Sequence, residues 1–91
     1  MLSKEILELY NNFSNTVYKP KALDGKTKEL IALSNSITVD CFPCINYHYK
    51  KAVENEASTE EIYEACTISM SICAGSKNAK YSQIIKDLEK N

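Results

Sequence analysis

Along the first eighteen residues the apolar positions Ile6, Leu7, Tyr10, Phe13, Val17 and Tyr18 return every three or four places, with Lys4, Glu5 and Glu8 among them. That period belongs to an amphipathic helix, and Ser3 stands where its hydroxyl can accept an orphan amide of the first turn. Pro20 closes the segment, because the residue before a proline is pushed out of the helical region. A second apolar set, Leu30, Ile31, Leu33 and Ile37, has the same spacing behind Asp24, whose carboxylate predicts a second cap. The β-branched pair Thr38 and Val39 ends that run loosely. Asp40 is then the expected cap of a third helix, with Pro43 in its first turn, where a missing N–H costs little. This helix carries Cys41, Cys44, Ile45, His48, Ala52 and Val53.

Ser58, followed three residues later by Glu61, has the spacing of a capping box and opens a fourth helix. It is expected to run through Ala65, Cys66, Ile68, Ile72 and Cys73 to a stop at Gly75. Its polar surface is so small that the helix belongs centrally or at a subunit contact. Ser76 or Asn78 would start a fifth helix bearing Tyr81, Ile84, Ile85 and Leu88. No segment alternates with a period of two, so the fold class is all-α, a single domain over residues 1–91 built from about five short helices.

Size and charge narrow the partners. A chain of 91 residues buries only about 60 to 65% of the surface its unfolded form exposes, so a copy of itself is the expected completion of its core. Eleven basic against twelve acidic residues, with no long basic run, argue against nucleic acid. The first twenty residues mix Lys4, Glu5, Glu8 and Lys19 into their apolar positions and lack an uninterrupted apolar stretch, so neither a membrane span nor a secretion leader is expected, and the protein reads as cytoplasmic. In that compartment four cysteines suggest metal binding or electron exchange rather than structural cross-links.

The cluster that carries chemistry is Cys41, Cys44 and His48. At 100° per residue these three lie within about 60° of one another on one helical face. Cysteines three apart on a helix have α-carbons about 5 Å apart, inside the range a disulfide tolerates. In a first turn the helix dipole favours the Cys41 thiolate, and Cys44 lies four residues before His48, whose imidazole can take its proton directly or through one water. Glu29, on the preceding helix beside Leu30, Ile31 and Leu33, is placed to orient that imidazole or accept its proton. Cys66 and Cys73, seven apart on an apolar helix, read as core. Tyr47 and Tyr49 read as packing or as an entrance, and Lys50 and Lys51 as a solvated rim. A zinc site would need a fourth ligand from elsewhere, and an inert thiol pair is the remaining alternative.

Glu29, eleven residues, Cys41, two residues, Cys44, three residues and His48 together resemble the signature of the AhpD-like branch of the carboxymuconolactone decarboxylase superfamily. The stretch from Leu23 to Leu33 is similar to the helix preceding the thiols there, and Ser58 to Ile62 to the helix start that follows. The resemblance runs from about Leu23 to Tyr81. It implies an all-helical fold assembled as a homotrimer or homohexamer, with thiol peroxidase or disulfide-reductase activity and neither cofactor nor metal. Carried over, Cys44 attacks a hydroperoxide, His48 and Glu29 relay protons, and Cys41 resolves the sulfenic acid. An external dithiol, on a lipoylated or thioredoxin-like protein, then restores both thiols. The alternatives are a dithiol oxidoreductase without peroxidase activity and a zinc-binding or structural helical module. The branch that decarboxylates lactones lacks the thiol pair, so its activity is not expected. Two departures stand out. Glu56 replaces a common Gly and is expected to lack a left-handed cap. Asp40 replaces smaller residues, and its charge would disfavour the Cys41 thiolate unless engaged as a cap.

Overall fold

The computed structural model describes all of residues 1–91 and contains four helices and no strand. They are α1 (Lys4–Val17), α2 (Gly25–Thr38), α3 (Phe42–Glu54) and α4 (Thr59–Glu89). Three starts are set by the local signals expected. The Ser3 hydroxyl accepts the Ile6 amide at 3.3 Å and the Asp24 carboxylate accepts that of Thr27 at 2.8 Å. At α4 both halves of the capping box form: the Glu61 amide donates to Ser58 Oγ at 3.1 Å, and the Ser58 amide to Glu61 Oε1 at 2.8 Å.

The expected fifth helix does not exist. α4 runs unbroken for 31 residues through Gly75, Ser76 and Asn78. A glycine weakens a helix by about 1 kcal/mol but ends it only where the chain needs a left-handed turn or a proline follows, and neither holds here.

The third cap is also different. α2 ends in a Schellman arrangement: Cys41 N–H donates to Ser36 O at 2.9 Å and Asp40 N–H to Ile37 O at 3.1 Å, with Asp40 itself at φ 56°. Asp40 therefore serves the end of α2, and the cap of α3 is Cys41, whose sulfur accepts the Cys44 amide at 3.3 Å. Cys41 thus closes α2 and opens α3, leaving only Val39, Asp40 and Cys41 between the two helices. α3 ends the same way, with Ala57 N–H on Ala52 O and Glu56 N–H on Val53 O, both at 3.0 Å. Glu56 takes the left-handed conformation (φ 64°) that its side chain was expected to deny it. Two hydrogen bonds and the helix entry that follows outweigh a steric cost of about 1 to 2 kcal/mol.

α2 is the hub, packed on one side by α3 and on another by α4. The small core joins Leu33, Ala52 and Ile62, one from each, with Leu30, Ile45, Ala57 and Cys66 against it. Farther along, the fully buried Ser69 meets Thr38 at 2.8 Å. Thr38 spends its hydroxyl hydrogen on Ser34 O, so Ser69 is the donor in that pair. Cys66 is half-buried, but Cys73 is exposed, contrary to its reading as core, because α4 has by then run past α2. No helix is long and apolar enough to cross a membrane.

Candidate active site

The direct passage from α2 into α3 sets two helix faces against each other. Glu29 lies in the second turn of α2 and His48 in the second turn of α3. Glu29 is 6% exposed and His48 9%, a burial that a carboxylate and an imidazole tolerate only when paired. His48 Nδ1 donates to Glu29 Oε2 at 2.7 Å, a charge-assisted bond that fixes the ring and its tautomer.

Cys41 and Cys44 are joined as a disulfide with α-carbons 5.2 Å apart. Both residues are half-buried. The Cys44 amide points at Cys41 Sγ, so Cys41 meets the start of α3 from the cap position rather than from within the first turn.

Cys44, His48 and Glu29 line one cleft of about 700 Å³, whose far wall is α1 and the segment after it. Tyr47 lies on the same wall, edge-on to the His48 ring with centroids 5.1 Å apart, and Lys51 projects over Tyr47. Tyr49, half exposed, is not part of the cleft. The structure therefore brings together all four residues singled out from the sequence. It does not bring His48 and Cys44 into a direct hydrogen bond, the simpler of the two contacts expected.

In the disulfide Cys44 has no S–H to give to the ring, and the ring nitrogen not held by Glu29 faces a residue the sequence reading assigned only to helix packing. The Tyr18 hydroxyl stands 3.4 Å from His48 Nε2, with the two rings 5.0 Å apart. Because Nδ1 carries the hydrogen given to Glu29, the neutral imidazole offers Nε2 as an acceptor and Tyr18 donates to it. Burial, and after it the Glu29 charge, hold the phenol above its ordinary range, so it stays protonated at neutral pH. Nothing local announces this contact, which spans thirty residues. Pro20, which turns the chain back towards α2, is the one signal pointing to it.

No three His, Cys, Asp or Glu side chains converge as a metal cage, and the one imidazole already has partners on both nitrogens. What the site can do is open and close a disulfide beside a fixed proton acceptor. A helical domain with a Cys-x-x-Cys disulfide at a helix start and a buried Glu–His pair next to it is a thiol-disulfide oxidoreductase by class.

Comparison with known proteins narrows the class to a family. Residues 4–87 match the Carboxymuconolactone decarboxylase family, and the chain belongs to it. It is similar to a carboxymuconolactone decarboxylase family protein of Thermotoga maritima (32% identity, 99% of each chain, TM-score 0.72). It is also similar to a Methanobacterium thermoautotrophicum protein of solved structure (31% identity, 88% of this chain and 90% of that one, TM-score 0.81). A protein encoded in the cox locus of Paracoccus denitrificans, described as uncharacterized, is 33% identical over 76 residues, 84% of this chain and 68% of the relative.

Proposed function

We propose that the protein is a hydroperoxide reductase of the AhpD-like branch of its family, working on its own thiols and re-reduced by an external dithiol. The observation that carries this reading is the opening of the Cys41–Cys44 pair, through Cys44, into a cleft that also holds the Glu29–His48 bond. Cys44 lines the cleft and Cys41 does not, which favours Cys44 as the attacking sulfur. Its thiolate takes the distal peroxide oxygen, giving the sulfenic acid, and the alkoxide leaves as alcohol with a proton from the relay. Cys41 then displaces that oxygen as water and the disulfide forms. A dithiol restores both thiols by exchange through a mixed disulfide, becoming a disulfide itself. A lipoylated or thioredoxin-like protein is the donor class this requires, and a reducing compartment such as the cytoplasm is where it would act. A part in the antioxidative response has been suggested for the Thermotoga maritima relative, in keeping with this chemistry.

The working form is proposed to be a homotrimer or homohexamer of single-domain chains. Only 9 of 91 residues are buried in one copy, while Phe13, Ile72, Ile84, Ile85 and Leu88 lie in the open, which leaves large apolar faces for neighbouring copies.

The test is peroxide consumption by wild type against a panel of dithiols that includes a lipoylated carrier. Dithiol-dependent turnover is expected, with Cys44→Ser abolishing it and Cys41→Ser permitting no more than a single turnover. Reduction of a model disulfide without any peroxide consumption would replace this reading by a dithiol oxidoreductase.

A further inference from the structure

We infer that Tyr18 is the outer member of the proton relay, a positioning residue that connects His48 to Cys44 through its hydroxyl. This rests on the proposed role of Cys44 as the reacting thiol. His48 has two nitrogens, and Glu29 holds one of them at 2.7 Å. Every proton exchanged between the imidazole and the cleft must therefore pass the other, Nε2, and the hydroxyl beside it is that of Tyr18. A phenol is suited to this position because it donates and accepts at one oxygen: it gives its hydrogen to Nε2 while taking one from the cleft side, and reverses both steps on the return. No net proton is gained or lost at Tyr18.

The phenol is held there by design of the neighbouring helix. Lys28 Nζ donates to the carbonyl oxygens of Val17 and Lys19, both at 2.7 Å, and so grips the chain on either side of Tyr18. Lys28 directly precedes Glu29 in α2, so one turn fixes the inner carboxylate and the outer hydroxyl together. α1 buries none of its own residues, which makes this grip and the Tyr18–His48 contact its main ties to the site. The charged and titratable groups facing Tyr18 are Glu29 on α2, Tyr10 on α1 and Tyr47 on α3, with Lys19 and Lys51 along the same cleft.

Tyr18→Phe removes one oxygen and keeps the ring stacked near His48. The measurement is the rate of Cys44 alkylation by iodoacetamide between pH 5 and 9, in reduced protein carrying Cys41→Ser and with Cys66 and Cys73 replaced by Ala. In Tyr18→Phe the rate at neutral pH is expected to fall about tenfold or more, and the inflection to move up towards that of an ordinary thiol, as it also does in His48→Asn. Thermal melting of each variant separates this from loss of fold, which would also move the inflection towards that of an ordinary thiol but would lower the melting temperature, whereas the relay effect leaves the melting temperature near that of the parent. A Tyr18→Phe profile that superimposes on its parent overturns the inference. Because no peroxide is used, that result is distinguishable from failure of the peroxidase reading, which shows in the turnover assay of wild type.

Discussion

At the residue scale the site depends on a buried carboxylate and a buried imidazole that satisfy each other. Glu29→Gln keeps an acceptor for His48 Nδ1 but removes the carboxylate from the relay, so peroxide turnover is expected to fall about 10²-fold with the fold intact. Glu29→Ala leaves a buried ring nitrogen unpaired and should in addition cost about 1 to 3 kcal/mol in a denaturant titration. Leu33, 1% exposed at the meeting of three helices, is the most sensitive apolar position, and Leu33→Ala is expected to cost about 2 to 5 kcal/mol. The residues of this site were legible in the sequence because their spacing carries the geometry. Cys41 and Cys44 are three apart, and a single histidine follows at the next turn of the same face. Tyr18 was not, since its helical period explains it as core and only tertiary folding turns it onto His48.

At the element scale, local capping chemistry decided most boundaries, and Ser3, Asp24 and Ser58 were legible because each acts on amides within three residues. Asp40 and Cys41 were misassigned because an aspartate is the commoner cap. Here the Schellman end of α2 takes the aspartate first and hands the cap to a thiol. The same motif places Glu56 at φ 64° on the exposed end of α3. Glu56→Gly relieves that steric cost and loses part of it to greater freedom in the unfolded chain, for an expected gain of about 0.5 kcal/mol, readable as a higher melting temperature. The caps also make stability depend on pH. The Thr27 side chain and amide lower the pKa of Asp24, and the Ser58 amide, with Lys26 at 2.9 Å, lowers that of Glu61. Both carboxyls bind protons less readily folded than unfolded. The stability they add is therefore whole above their ordinary range of about pH 4 and is lost as pH falls through and below it. Melting curves of Asp24→Asn with Glu61→Gln should show a smaller loss on acidification than wild type.

At the scale of the whole molecule one copy is extended rather than compact. Its radius of gyration is 17.6 Å and its extents are 55 × 38 × 24 Å, against a radius of about 12 Å for a compact chain of this length. α1 stands away from the body, and the half of α4 beyond Ser69 contacts nothing that buries it. Five short helices would have folded back into a self-contained bundle. One continuous α4 instead projects a rod that exposes Ile72, Ile84, Ile85 and Leu88, a difference the weak break at Gly75 concealed. Sedimentation equilibrium is expected to return three or six times the 10.3 kDa chain mass, with a melting temperature that rises with protein concentration. A stable monomer would contradict that assembly.

The most direct trial of the redox site is a single turnover. Reduced protein is mixed with one equivalent of an organic hydroperoxide, quenched with an alkylating reagent and mapped by mass spectrometry. Cys41 and Cys44 should escape alkylation as a disulfide with the loss of two hydrogens, while Cys66 and Cys73 are labelled. Labelling of Cys41 and Cys44 as complete as in peroxide-free protein would contradict it.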